Sequence, residues 1–174
     1  MTAKTWALLA LCMLPCVATA SDTTSFGEWH VGLSDDKTTV FAGTMNDSGS
    51  LLAETCATDK DSCIWMLTID SVCEEGAEYP VLINSDQSAV TATVTCLGRA
   101  ESKGDYRYRF NDWKSLEAVI LKAKKVGFAF PLQQDQFTVV RFSLDGVAKA
   151  SQLAERLALE ARKSSSGSTR NVTL

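Results

Sequence analysis

The chain has 174 residues, 45% apolar, 22% charged and 8% aromatic, a globular composition that excludes a disordered, collagen-like or coiled-coil protein. Its formal charge is −4 and its only histidine is His30, so the basic excess that nucleic-acid binding uses is lacking. A histidine-rich zinc site or a Ser/His/Asp triad would have to be built on that one residue; no metal, no cofactor and no nucleic acid is expected.

The amino terminus reads as an address. Lys4 precedes an apolar run from Trp6 to Val17, and Ala18-Thr19-Ala20 offers small residues where a signal peptidase cuts. Residues 1–20 are therefore expected to be a secretory signal peptide cleaved before Ser21. The run is shorter than the roughly 20 residues a bilayer span needs, and no later run reaches that length. Leu11 before Cys12 and Pro15 before Cys16 do not suit a lipoprotein cleavage site, so a periplasmic or secreted product with no membrane span is expected. Removing residues 1–20 takes away Lys4 and leaves 16 basic against 21 acidic residues.

From Phe26 to about residue 110, short β-branched or aromatic runs are broken by Gly, Asn, Asp and Ser, the pattern of successive antiparallel strands. The expected strands are Gly27–Leu33, Thr38–Thr44, Ser50–Cys56, Cys63–Ile69, Tyr79–Ile83, Ala89–Leu97 and Asp105–Phe110. Alternation is clearest at 89–96, where Val90, Ala92, Val94 and Cys96 share one face and threonines the other. One face is then buried, which requires a second layer.

Four cysteines follow the signal segment, and an even number in an exported chain reads as two disulfides. Cys56 and Cys63 flank a polar turn between two strand-like runs, which favours a bridge across the mouth of that loop and leaves Cys73 with Cys96. No pair has zinc-knuckle or redox Cys-x-x-Cys spacing.

Asn111 or Asp112 can cap a helix with Trp113, Leu116, Val119, Ile120 and Ala123 on one side and Lys122, Lys124 and Lys125 at its end. Two more strands, around 127–131 and 137–142, are joined through Gln133–Gln136. The second is apolar on both faces and is expected to be central. A final helix from about Gly146 to Lys163 carries a stripe of Val147, Ala150, Leu153, Ala154, Leu157 and Ala161. The fold class is mainly β with two helices in the carboxyl half: one antiparallel, β-sandwich-like, disulfide-tied domain over 21–163, with a disordered tail at 164–174.

Three places could carry function. Tyr106-Arg107-Tyr108-Arg109-Phe110 sets Tyr106, Tyr108 and Phe110 on one strand face and Arg107 and Arg109 on the other. The arginine face could receive an acidic partner or an anionic envelope polymer, against the plainer reading of core aromatics and solvated arginines. Asp59 and Asp61, with Glu74, Glu75 and Glu78, lie near the cysteines, but the EF-hand ligand series is missing and a solvated acidic loop is expected. His30 lacks an identified orienting carboxylate. Nucleophile elbows, penicillin-recognising motifs and phosphate-cradling glycine loops are all missing from the sequence.

The signal segment, the tryptophan strand Gly27-Glu28-Trp29-His30-Val31, the paired cysteines and the strand-to-helix passage from Phe137 through Ser143-Leu144-Asp145-Gly146 to Ala150 resemble the bacterial invasion-associated locus B family of exported proteins. The resemblance spans most of residues 26–160. It implies a periplasmic or secreted β-sandwich-like domain with no catalytic residues, associated with the envelope and, in some pathogens, with host-cell entry. The expected function is a non-catalytic envelope module that binds a protein or envelope component, its partner an envelope or host protein. The alternative is an exported enzyme or enzyme inhibitor using His30 or the 57–62 loop.

Overall fold

The computed structural model describes residues 23–100, 104–131 and 137–167. The expected signal peptide at 1–20, the connection expected at Gln133–Gln136 and residues 168–174 of the expected tail lie outside these ranges. The elements are β1 (Thr24–Phe26), β2 (Trp29–Leu33), β3 (Thr39–Met45), β4 (Leu51–Ala57), β5 (Cys63–Ile69), β6 (Glu78–Ser85), β7 (Ala89–Arg99), β8 (Tyr106–Phe110), α1 (Trp113–Ile120), β9 (Lys125–Pro131), β10 (Phe137–Ser143) and α2 (Val147–Gly167). Where the sequence pattern gives one strand from Gly27, a turn at Gly27-Glu28 instead folds Thr24–Phe26 back onto Trp29–Val31.

All ten strands belong to one antiparallel sheet, in the order β1-β2-β3-β4-β5-β8-β7-β6-β9-β10. That sheet is rolled. Strands three steps apart in a flat sheet stand roughly 14 Å apart, yet across β8 and β9 the rings of Tyr108 and Phe130 are 5.2 Å apart and those of Phe110 and Phe128 are 5.3 Å apart. Trp29 of β2 and Trp65 of β5, also three steps apart, meet edge to face at 5.9 Å. The expected second layer is therefore supplied by the far half of the same sheet, together with both helices.

The roll closes where its two ends meet. Asn46 Nδ2 donates to Arg141 O at 3.2 Å, Trp29 Nε1 to Ser143 O at 3.1 Å, and Glu28 N to Asp145 O at 3.2 Å. This corrects the placement of the 137–142 strand: β10 is an edge strand. Its inward residues Val140 and Phe142 are core, while Phe137 and Val139 are 67% and 43% exposed on the convex face. Apolar residues on both faces thus reflect an exposed outer patch, and side-chain and backbone donors from the opposite edge cover the carboxyl end of the strand.

Asp112 caps α1, its Oδ1 accepting from Ser115 N. The helix stops at Ile120, short of the lysines expected at its end, because Asp86 Oδ1 accepts from Lys124 N and Lys125 N at 2.8 and 3.2 Å and draws that segment out to start β9. Ala123 is consequently outside the helix and Trp113 is exposed. In α2 the face against β2, β3 and β4 is Ala150, Ala154 and Ala158, all fully buried, with Ser151 beside them. Small side chains let the helix lie close to the sheet. Leu157 points outward rather than into the packed stripe, and the helix runs through Gly167 rather than ending at Lys163.

Candidate functional site

Alternation along β8 sorts its residues. Tyr108 and Phe110 lie on the concave face, 2% exposed, and Tyr106 is partly buried against the same core. Tyr108 donates its hydroxyl to Ser71 O at 2.8 Å, and burial pushes its phenol up from the usual value. The ring is thus packed against Tyr79 and Phe130 and presents no surface to a partner.

Arg107 and Arg109 project from the convex face. Register sets Arg107 beside Thr68 of β5, and Arg109 between Met66 of β5 and Thr95 of β7. Arg107 Nη2 donates to Leu97 O at 3.4 Å. Glu78 stands on the same face one strand beyond Thr95, but its Oε1 accepts from Asn111 Nδ2 at 2.8 Å. Among the described residues neither arginine is paired with a carboxylate; the ion pair present is Arg162–Asp61. Neither guanidinium charge is therefore matched by a carboxylate, and both can bind an anionic group from outside.

The loop between β4 and β5 is fastened twice. Cys56 is bonded to Cys63, and Cys73 to Cys96, the pairing that the loop spacing favours. From α2, Arg162 Nη1 donates to Ala57 O and Lys60 O at 3.2 and 3.0 Å, and Nη2 to Asp61 Oδ1 at 2.9 Å. Asp59 is exposed. Among the described residues neither Asp59 nor Asp61 joins a carboxylate cluster of metal-binding dimensions. His30 is exposed, with Nδ1 2.8 Å from Ser25 Oγ. The sequence motifs therefore do not converge: the arginines, the loop and His30 occupy separate parts of the surface.

One group escaped sequence reasoning. Glu54 of β4 is 2% exposed on the concave face, where Ser151 of α2 donates to its Oε2. Burial pushes its carboxyl up to about 7, with the charges of Glu155 and Glu117 adding to the rise and the Ser151 bond opposing it. Glu117 is also raised, by burial and by Glu155. The cross-strand neighbour of Glu54, Trp65, keeps a buried Nε1–H with no hydrogen-bond partner among the described residues. Beside the cluster lies a cleft of about 830 Å³ lined by Glu54, Glu155, Trp113, Gln152, Arg156 and Leu159, among others.

No protein-family model matches the chain, and no curated protein matches it by sequence. Among solved structures, the crystal structure of invasion associated protein B from Bartonella henselae matches with a TM-score of 0.58 at 17% identity, covering 79% of this chain and 98% of that one. The resemblance read from the sequence holds at the level of the fold. No helix among the described residues is long and apolar enough to cross a membrane.

Proposed function

We propose that the chain is an exported, non-catalytic module of the bacterial envelope that binds an anionic segment of a protein or envelope component through Arg107 and Arg109. The observation that carries this reading is two neighbouring guanidinium groups on the convex sheet face without a carboxylate partner among the described residues. Two disulfides suit an oxidising compartment, and the structural neighbour is an invasion associated protein.

The test is capture from periplasmic extract by the oxidised protein and by an Arg107→Glu/Arg109→Glu variant of unchanged near-UV circular dichroism. The expected result is a partner that the variant loses and that rising salt releases from the parent. A partner held equally by both proteins refutes the arginine face. That outcome moves the site to the 57–62 loop, which Arg162 and the Cys56–Cys63 bridge hold in one shape.

A further inference from the structure

Three carboxylates from three elements converge where the helices meet the roll, Glu54 buried, Glu117 partly buried and Glu155 exposed. Glu54 of β4, Glu117 of α1 and Glu155 of α2 bring oxygens within 4.8 Å of one another. Ionised together they place three negative charges in a space where one member is almost wholly out of water. The repulsion is relieved if one group keeps a proton, or if the elements that carry them move apart.

The surroundings do not neutralise the cluster. The residue opposite Glu54 on β3 is Ala42, and on β5 it is Trp65. The charged groups that act on Glu54 are Glu155 and Glu117, with Ser151 as its hydrogen-bond donor. Arg156 and Arg162 line the adjoining cleft; Arg156 is not among the charges that act on Glu54, and Arg162 is engaged by Asp61 and by the carbonyls of Ala57 and Lys60.

We propose that this cluster is a pH-sensitive latch on α2: with Glu54 protonated the helix is docked over it, and ionisation of Glu54 beside Glu117 and Glu155, which the Ser151 hydroxyl only partly offsets, loosens the helix and widens the adjoining cleft. The latch is independent of the arginine face, which lies on the opposite side of the sheet. Its direction follows from linkage. Docking raises the proton affinity of Glu54, so the docked helix is favoured at low pH and loses ground as pH rises from the carboxylate's ordinary value through its docked one. A rise from 4.5 to about 7 makes docking weaker by up to about thirtyfold between about pH 5.5 and 8.5.

The experiment is amide hydrogen exchange of the full oxidised protein at about pH 5.5 and 8.5, with rates corrected for intrinsic chemistry. In the parent the protection of α2 amides is expected to fall by roughly ten- to thirtyfold at the higher pH. In Glu54→Gln, which keeps the shape and cannot ionise, the fall is expected to be under about twofold. Unchanged α2 protection in the parent, or an equal loss in the variant, overturns the latch. If Glu54→Gln does not fold, carbon-13 titration of the parent's glutamate carboxyls decides instead: one glutamate titrating near 7 supports the latch, and all of them titrating in the ordinary carboxylate range overturns it.

Discussion

Replacing Gly146 by alanine tests how the roll is closed. Gly146 has φ of +96° between β10 and α2, and a methyl group there would stand 1.8 Å from Phe26 O and 2.4 Å from its carbonyl carbon. Gly76 supplies the control: its φ is +84°, and a methyl group would meet nothing within 4 Å. Both substitutions place alanine in left-handed backbone, costing roughly 1–2 kcal/mol, of which about 0.4–1 kcal/mol is returned by the stiffer unfolded chain. Gly76→Ala should therefore lower stability by about 1 kcal/mol. Gly146→Ala must also push the β1–β2 turn away by more than an ångström, on the order of the gap to ordinary contact. That shift threatens the Glu28 N–Asp145 O and Trp29 Nε1–Ser143 O bonds, each worth about 1 kcal/mol. The expected loss is about 3–5 kcal/mol, large for a single substitution. Urea unfolding of both variants gives the comparison. If Gly146→Ala falls within about 1 kcal/mol of Gly76→Ala, the two-turn contact does not hold the sheet ends together.

Removing the Cys73–Cys96 bridge, which spans 23 residues, should cost about 3 kcal/mol, and removing Cys56–Cys63, which spans 7, about 2 kcal/mol; equal losses in urea titrations would contradict the loop-length argument. Arg162→Ala strips the donors from two loop carbonyls and should cost about 1–2 kcal/mol. Asp61→Ala, which removes only the 96%-exposed end of the ion pair, should cost under about 0.5 kcal/mol; the reverse ranking would show that the charge, not the carbonyls, anchors the loop. Stability against pH should peak on the acid side of neutrality. Hydrogen bonds from Ser34 and Thr38 hold Asp36 low, backbone N–H groups of Lys124 and Lys125 do so for Asp86, and Ser115 for Asp112; their stabilisation is lost as pH falls below the usual carboxylate value of 3.8. Glu54 acts oppositely, so stability falls as pH rises from 4.5 through about 7, by roughly 3 kcal/mol in full. Urea midpoints from about pH 3 to 9 should show this maximum near pH 4–5, and a maximum at alkaline pH would refute the sign for Glu54.

Period-2 alternation made most of the strands legible, because a sheet with one buried face imposes it residue by residue. Seven strands expected before residue 110 have counterparts in the structure, with ends displaced by no more than two residues and Cys63–Ile69 matching at both. What alternation could not convey is strand order. That β5 pairs with β8, and β6 with β9, depends on contacts far apart in sequence. The edge position of β10 was hidden for a related reason: the donors that cover its carboxyl end, Asn46 and Trp29, come from the opposite side of the roll. The early end of α1 is set by Asp86, a turn residue some forty positions upstream.

The same parity rule explains why the arginines were found and Glu54 was not. In β8 every second residue is aromatic, so Arg107 and Arg109 could only face outward. In β4 both sets of alternate residues are largely apolar or small, Leu51, Ala53 and Ala57 against Leu52 and Cys56, and polarity alone assigns Glu54 to solvent. The cysteine settles the face. Cys56 is bonded to its cross-strand partner Cys63 and fully buried; Leu52 and Cys56 lie inside, and Glu54 between them must lie inside as well. A carboxylate held there breaks the ordinary rule for core positions, and the structure answers with the Ser151 hydroxyl rather than with a cation. Because an apolar residue at 54 would pack against α2 without this cost, the acid gives α2 a docking strength that depends on proton concentration, which a purely hydrophobic contact cannot supply.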